Sequence, residues 1–252
     1  MDFLYDYNAL PFYPEEDIFL REKFTQSLAR ELQAILLSTN PAWTMTRIEA
    51  PCLIPRDLVN ANYTNDDLFV QGERDPNKKI FVLKPETTPS TYAFMLDAIS
   101  KQQKRPPMCV WQLSKSFRRE QDQPTKHCRF KEFYQQEFQC LFASESFNDY
   151  FSVVAPQMAE VFMRETNCPT RLVLSDRLPD YSEKTWDVEV WNSEKWMEVC
   201  SMSLRKDFPD ICLKNKIVPC KVLEIATSPD RLTYCHKKRF LAREISFENH
   251  VI

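Results

Sequence analysis

The stretch that decides the fold reads Ser116-Phe117-Arg118-Arg119-Glu120, then a polar loop, then Arg129-Phe130-Lys131-Glu132-Phe133-Tyr134-Gln135-Gln136-Glu137-Phe138. Both runs are rich in residues that favour strands, and about eight mostly hydrophilic residues separate them. Together they predict an antiparallel hairpin with a long tip.

Alternation along the second run assigns its side chains to two faces of a strand. One face carries the aromatic residues Phe130, Tyr134, Phe138 and Phe142, and the other carries Phe133, Gln135, Glu137 and Gln139. An aromatic ring and a carboxylate on one strand, opposite Arg118 and Glu120, are able to hold a nucleotide, because a ring stacks on a base and a guanidinium binds phosphate. A surface hairpin with solvated charges explains this segment, taken alone, equally well.

The composition predicts one globular domain outside the membrane. The chain has 252 residues, of which 43% are hydrophobic and 27% are charged, values typical of a single large core. It has no apolar run of about 18 residues, and its start does not resemble a secretory signal. Nine cysteines without any CxxC pair argue against a disulfide framework or a zinc site and favour a cytoplasmic protein.

Charge and glycine content set two further limits. The net charge of −3 gives no support to binding DNA or other nucleic acids nonspecifically, so an RNA contact would need a local patch. The chain has a single glycine, Gly72, where average usage would give about 18. Positions that normally need glycine must therefore be filled by other residues.

Periodicity and turn residues predict an α+β domain with a mostly antiparallel sheet flanked by helices. Helices are predicted from Pro14 to Asn40, from Thr88-Pro89, over 146–165 and from Pro229, with strands at Trp43–Ile48, Ile80–Leu83, 170–174, 184–191, 196–203 and 218–225. Residues 55–78 are predicted to form an irregular insertion. The whole of 1–252 is interpreted as one domain.

These segments resemble the catalytic core of class II aminoacyl-tRNA synthetases, and most closely that of dimeric glycyl-tRNA synthetases. Tyr5-Asp6-Tyr7-Asn8-Ala9-Leu10 resembles the family's Tyr-Asp-Tyr-Gly-Pro-Leu, and Leu83-Lys84-Pro85-Glu86-Thr87 resembles Leu-Arg-Pro-Glu-Thr. The first helix, the next strand and Pro51 resemble motif 1, which forms the dimer interface in the family. The hairpin resembles motif 2.

Two later blocks extend the resemblance. Asp187-Val188-Glu189, followed by Trp196, Glu198, Arg205, Asp207 and Phe208, matches the spacing of a family block without a gap. Glu224-Ile225-Ala226-Thr227-Ser228-Pro229-Asp230-Arg231 resembles motif 3, which reads Glu-Pro-Ser-Phe-Gly-x-Asp-Arg in the family. Each match alone is weak, and it is their order and spacing that make the combination specific.

The resemblance implies a role for each matched residue. For ATP, Arg118 would bind the α-phosphate, Glu120 would accept from the adenine amine, Phe133 would stack on adenine, and Arg231 would bind the γ-phosphate or cover the other face of the base. For the amino acid, Glu86, Glu137 and Glu224 would surround the ammonium and Arg205 would contact the carboxylate side. Glu198 would help to ligate Mg²⁺, and the partners implied are a small amino acid, a tRNA acceptor end and a second copy of the chain.

Ordinary structural roles compete with each assignment. Glu86 could cap the following helix. Glu137 could be a solvated charge on an edge strand or could pair with Arg118, and Arg205 could form a surface ion pair with Asp207. Glu224 and Arg231 could simply flank the start of a helix.

The sequence departs from the family pattern at its glycines. The family's Gly-Pro pair is replaced by Asn8-Ala9, and three later glycines of the family are replaced by Ser90, Ser201 and Ser228. Ala226 replaces a serine that in the family helps to fix the substrate amine. The charged residues persist, which favours avoidance of the cognate amino acid, although deliberate removal of glycine gives the same pattern. Only 21 residues follow Arg231 (252 − 231), so we expect no anticodon-binding domain.

The leading hypothesis is an ATP- and Mg²⁺-dependent ligase that activates a small amino acid, first of all glycine, and transfers it to a tRNA 3′ end. A seryl-type amino acid:carrier-protein ligase is a close alternative, because residues 184–191 also resemble seryl enzymes. The alternative of a different class is a noncatalytic, dimeric tRNA-binding or accessory module. The retained charged residues favour the enzyme, and the missing glycines and Ala226 favour the module.

Overall fold

The computed structural model describes residues 5–7, 10–60, 62–71, 80–119, 130–143 and 147–248. The helices are α1 Glu15–Thr39, α2 Thr88–Ser100, α3 Phe147–Thr166, α4 Phe208–Lys214 and α5 Pro229–Glu248. The strands are β1 Tyr5–Tyr7, β2 Leu10–Phe12, β3 Thr44–Arg47, β4 Leu53–Pro55, β5 Val70–Gln71, β6 Phe81–Leu83, β7 Met108–Phe117, β8 Glu132–Ala143, β9 Thr170–Leu174, β10 Ser182–Trp191, β11 Trp196–Arg205 and β12 Cys220–Thr227.

A seven-stranded sheet forms the centre of the molecule. Its strand order is β3-β7-β8-β12-β11-β10-β9, and every neighbouring pair is antiparallel except β3 and β7. The α+β class with a mostly antiparallel sheet is therefore confirmed. Two smaller sheets, β1-β2 and β4-β6-β5, accompany it.

The predicted hairpin consists of β7 and β8, which pair from Met108↔Leu141 to Phe117↔Glu132. Its two faces divide as the alternation predicts. Phe138 and Phe142 are buried in the main core, whereas Phe133 and Glu137 line a cleft on the other side. The hairpin tip, residues 120–129, lies outside the described residues.

The two faces of the sheet are covered unequally. Helices α1, α3 and α5 cover one face, where Phe24 and Leu32 pack with Phe138 in the main core. On the opposite face a second cluster places Phe208 against Leu141. This second cluster brings α2 and α4 over one end of that face, and the cleft lies over the rest of it.

The structure differs from the predicted elements at several places. Strands β1, β2 and β4 were not predicted. The insertion predicted to be irregular is partly ordered, since Val70–Gln71 pairs with β6 and a 3-10 turn spans Arg56–Leu58. Ile80 is exposed, and the strand begins at Phe81. Helix α4 was not predicted. None of the helices in the described ranges is both long and apolar enough to cross a bilayer.

Candidate active site

A cleft of about 370 Å³ opens on the partly covered face of the sheet. Residues of β8, β10, β11 and β12 line it, together with Arg118 directly after β7, the loop at 175–181 and the start of α5. Seven of the predicted site residues line it: Glu86, Arg118, Phe133, Glu137, Glu198, Glu224 and Arg231. Glu120 lies outside the described residues, and Arg205 is not among the lining side chains.

Arg118 is held in place at one end of the cleft. It follows β7 directly, and its Nε donates to the backbone oxygen of Pro85 at 3.1 Å. Its guanidinium carbon lies 5.3 Å from the centre of the Phe133 ring. The Arg118 guanidinium and the Phe133 ring therefore lie side by side in the cleft. The guanidinium is held by Pro85, the residue before Glu86.

Arg231 occupies another part of the cleft, on the first turn of α5. Its Nη1 donates to the backbone oxygen of Glu198 at 2.8 Å and lies 3.7 Å from Oε2 of the same residue. Its backbone N–H donates to the hydroxyl of Ser228 at 3.4 Å. Ser228, where the family has glycine, therefore provides an N-terminal cap for α5, and its own N–H donates to Val199 at 2.9 Å.

Three buried carboxylates meet in the cleft. Glu86, Glu137 and Glu224 are 6%, 1% and 6% exposed. The Thr88 hydroxyl lies 3.0 Å from Oε2 of Glu137 and 3.2 Å from Oε2 of Glu224, and the Gln139 amide donates to both residues, at 2.6 and 2.8 Å. Glu137 is therefore neither a solvated edge charge nor tied to Arg118 by any hydrogen bond found in the described residues.

Glu86 is held by the insertion rather than by the helix that follows it. Its Oε2 accepts a hydrogen bond from the Tyr63 hydroxyl at 3.0 Å. The residue preceding α2 is Thr87, and the N-terminus of this helix has no side-chain cap. The capping role considered for Glu86 is therefore wrong.

Arg205 lies one layer away from the lining of the cleft. It is 2% exposed, its Nε and Nη2 bind Asp207 at 3.1 and 2.7 Å, and its Nη1 donates to Glu224 at 3.1 Å. The Tyr181 ring stacks on the guanidinium at 3.7 Å. The Arg205 end of the pair with Asp207 is buried and the Asp207 side chain is 25% exposed, so the pair is not an ordinary surface ion pair. A contact of Arg205 with the carboxylate side of a substrate stays a prediction.

Burial sets the protonation of the acidic cluster. Desolvation, followed by the charge of Glu224, raises the pKa of Glu137 to about 8. Desolvation also raises the pKa of Glu86, although the nearby Arg205 guanidinium lowers it in part. Arg205 and Arg118 face Glu86, and Lys84 faces Glu137, yet the pKa values of both acids stay raised. The cluster therefore favours an additional cation. A substrate ammonium would supply that cation.

Glu198 fits a role in holding Mg²⁺. Its side chain is 49% exposed at the cleft, and Glu189 is its cross-strand neighbour on β10. Mg²⁺ is usually bound by one or two carboxylates together with substrate phosphates rather than by a cage of protein ligands. No cluster of three or more His, Cys, Asp or Glu side chains suited to a metal ion occurs in the described residues.

Sequence reasoning missed the groups that support the acids. Tyr63, Thr88, Gln139 and Tyr181 all contact Glu86, Glu137, Glu224 or Arg205. Gln139 had a usable signal, because its place on the strand gives it the same face as Glu137. Tyr63 and Tyr181 had none, since both lie outside regular periodic segments.

A comparison with known protein families identifies the family of this chain. Residues 67–218, more than half of the chain, match the tRNA synthetase class II core domain (G, H, P, S and T). The chain belongs to this family. Class II aminoacyl-tRNA synthetases, as a family, use ATP and bind an amino acid and tRNA.

Individual relatives agree with this assignment. The class II core described here is 30% identical to the glycine–tRNA ligase of Mycoplasma capricolum over 144 residues, which is 55% of this chain and 31% of that protein. The glycine–tRNA ligase of Mycoplasma mycoides is 28% identical over 143 residues, again 55% and 31% of the two chains. The matches thus span about a third of these relatives.

Solved structures share the fold at low sequence identity. The prolyl-tRNA synthetase of Cryptosporidium parvum, complexed with halofuginone and AMPPNP, superposes with a TM-score of 0.71 at 10% identity, covering 93% of this class II core and 49% of that chain. The Giardia lamblia prolyl-tRNA synthetase, in complex with prolyl-adenylate, gives 0.70 at 16% identity, covering 92% and 48%.

Proposed function

We propose that this class II core activates a small amino acid, first of all glycine, with ATP and transfers it to the 3′ end of a tRNA. The observation that carries the proposal is one cleft in which three buried carboxylates lie beside Arg118 and Arg231. An amino acid brings an ammonium that suits the acids, and ATP brings phosphates that suit the guanidiniums.

The proposed reaction needs alignment rather than a protein nucleophile. A carboxylate oxygen of the amino acid attacks the α-phosphorus of ATP, and the bond to pyrophosphate breaks. Negative charge spreads over the phosphoryl oxygens, and Arg118 is placed to stabilise it. Glu86, Glu137 and Glu224 hold the ammonium, so that the two reactants meet in a fixed geometry.

The remaining residues complete the nucleotide site in this proposal. Phe133 stacks on adenine, and Arg231 binds the γ-phosphate or covers the other face of the base. Glu198 would hold Mg²⁺, which offsets phosphate charge. Arg205 acts through Glu224, since its donors are already bound to Glu224 and Asp207.

Amino-acid-dependent exchange of pyrophosphate into ATP tests the activation step. Glycine, serine, alanine and proline are supplied separately, and the proposal expects exchange that is strongest with glycine. Strongest exchange with another member of the panel would replace glycine as the substrate. Transfer to total tRNA, compared with transfer to a carrier protein, then distinguishes the acceptors.

Ala226 supports the alternative of a noncatalytic module. This residue lines the cleft, and the family's serine at this position helps to fix the substrate amine. A module of this kind retains the scaffold, binds tRNA or a partner subunit, and shows no exchange with any amino acid in the panel. Exchange above background with any one of them would exclude it.

We further propose that the chain forms a homodimer through the segment that resembles motif 1 and the adjoining three-stranded sheet β4-β6-β5. Leu53, Leu58, Val70 and Ile80 on or next to this small sheet are 41 to 53% exposed. A second copy would remove this apolar surface from water. Leu53→Asp should halve the mass measured by sedimentation equilibrium, whereas Leu213→Asp, an exposed leucine on α4, should leave it unchanged.

A further inference from the structure

Asp230 links two elements that flank the cleft. It is 4% exposed, and its Oδ2 accepts hydrogen bonds from the backbone N–H of Tyr134 and from the Tyr13 hydroxyl, each at 3.1 Å. Tyr134 follows Phe133 on β8, and Arg231 follows Asp230 on α5. The contact therefore joins the immediate neighbours of an aromatic ring and a guanidinium that both line the cleft.

The register of the sheet explains why β8 needs this contact. Strand β12 pairs with β8 only as far as Thr227↔Gln136, whereas β8 continues to Glu132. Beyond that last pair, the backbone N–H of Tyr134 has no β12 residue opposite it. A buried N–H without an acceptor is costly, and the Asp230 carboxylate supplies the acceptor that β12 would otherwise provide.

Neighbouring groups make the link compact. The Arg21 guanidinium lies 3.8 Å from the centre of the Tyr134 ring and 5.0 Å from that of the Tyr13 ring, and it is 7% exposed. The two tyrosine rings meet edge to face at 5.7 Å. Arg21 also offsets the buried charge of Asp230, so that the carboxylate can remain an acceptor.

We propose that Asp230 is a positioning residue that fixes the spacing between Phe133 and Arg231 for the nucleotide. This inference rests on the proposed function, because it takes the ring and the guanidinium to be the two groups that contact ATP. It assigns to Asp230 no contact with the ligand. Both hydrogen bonds of Asp230 come from protein groups, so the link itself needs no contact with ATP.

Three variants test the link. Asp230→Ala removes the acceptor, Asp230→Asn keeps an oxygen that can accept from Tyr134, and Thr233→Ala removes another buried hydroxyl from α5. We expect the KM for ATP in pyrophosphate exchange to rise at least about tenfold in Asp230→Ala and to stay within about threefold of wild type in Asp230→Asn. The KM for the amino acid should hardly change.

Thr233→Ala is the matched control, because Thr233 is 2% exposed and its hydroxyl has no hydrogen-bond partner in the described residues. If Asp230→Ala acted only by lowering stability, the KM for ATP and the KM for the amino acid would both rise, or Thr233→Ala would show the same changes as Asp230→Ala. Either result, or an unchanged KM for ATP in Asp230→Ala, overturns the positioning role.

Amide hydrogen exchange at Tyr134 provides a readout that does not depend on activity. We expect exchange at this residue to accelerate at least about tenfold in Asp230→Ala and not in Thr233→Ala. If the wild-type protein shows no exchange of pyrophosphate and no binding of ATP, the proposed function fails and the amide result alone decides whether Asp230 holds β8 to α5. Unchanged protection at Tyr134 refutes the link in either case.

Discussion

At the scale of single residues, other groups of the protein hold the charged side chains of the cleft in place. Arg118 is anchored to the backbone of Pro85, Glu86 to Tyr63, and Glu224 to Arg205. Side chains that are already fixed lose little conformational freedom when a ligand binds. The charges that would contact a nucleotide and an ammonium therefore act as a prepared site.

Removal of Arg118 should abolish activation without unfolding the protein. Because the proposed function assigns its guanidinium the stabilisation of the charge on the reacting phosphate, Arg118→Ala should reduce pyrophosphate exchange by at least about 100-fold. Arg164→Ala, an exposed arginine on α3 that pairs with Glu31, serves as the control and should leave exchange unchanged. An active Arg118→Ala protein with normal circular dichroism would refute the assignment.

Binding of the amino acid should release a proton from Glu137. Its pKa of about 8 in the free protein leaves the carboxyl mostly protonated at pH 7, and a bound ammonium lowers that pKa. Calorimetry in buffers of different ionisation enthalpy should show release approaching one proton. Glu137→Gln should abolish the release and weaken binding about tenfold.

The same residue should give the free energy of unfolding a pH dependence of defined sign. The pKa of Glu137 is raised in the folded state, so its contribution to stability is fully present below its unfolded pKa and is lost as pH rises through about 8. Glu137→Gln should remove this slope in urea titrations. Glu132→Gln, on the same strand but outside the cleft lining, should retain both the slope and the proton release.

At the scale of elements, the chain builds glycine-type turns without glycine. Gln103, Asn167, Ser193 and Lys216 have φ values of 53°, 54°, 75° and 58°, which lie in the region that normally favours glycine. Lys216 follows α4 and completes a Schellman motif, with Lys216 N–H bonded to Leu213 O at 3.0 Å and Ile217 N–H to Cys212 O at 2.9 Å.

Glycine should therefore stabilise the protein at this turn. Lys216→Gly relieves the left-handed backbone of a residue with a Cβ and should raise the free energy of unfolding by about 0.5–1 kcal/mol, after the greater freedom of the unfolded chain is included. Lys214→Gly, inside α4, should lower it by a similar amount. Denaturant titrations compare the two variants, and destabilisation by Lys216→Gly would contradict the strain assigned to this turn.

The elements that the sequence predicted well are those with a local signal. Helix α1 has apolar residues at helical spacing and acids in its first turn, and the second strand of the hairpin, β8, places its side chains alternately on two faces. Helix α4 was missed because it has only seven residues, too few to show a clear helical period. The pairing of β5 with β6 was missed because strands of two and three residues carry almost no periodic pattern.

At the scale of the whole molecule, the near absence of glycine has a consequence for synthesis. A protein that charges tRNA with glycine is needed when glycyl-tRNA is scarce, and a chain with one glycine in 252 residues makes little demand on that supply. We propose that the composition reflects avoidance of the cognate amino acid, with some turn stability lost in return.

Translation under glycine limitation tests this proposal. Synthesis of this chain should persist while that of a glycine-rich control of equal length falls sharply, as measured by pulse labelling. A variant gene carrying glycine at Gln103, Asn167, Ser193 and Lys216 should show an intermediate loss. Equal loss for all three genes would reject avoidance as the explanation.

The sequence alone determined the class of the fold, the two faces of the hairpin and six of the charged residues that line the cleft, because alternation and motif spacing are properties of short segments. Only the tertiary structure decided that Arg205 lies behind Glu224, that Tyr63 reaches Glu86 and that Asp230 joins α5 to β8. These contacts join residues from 19 to 96 positions apart. They depend on how sheet, helices and insertion pack together, and no local pattern in the chain records that packing.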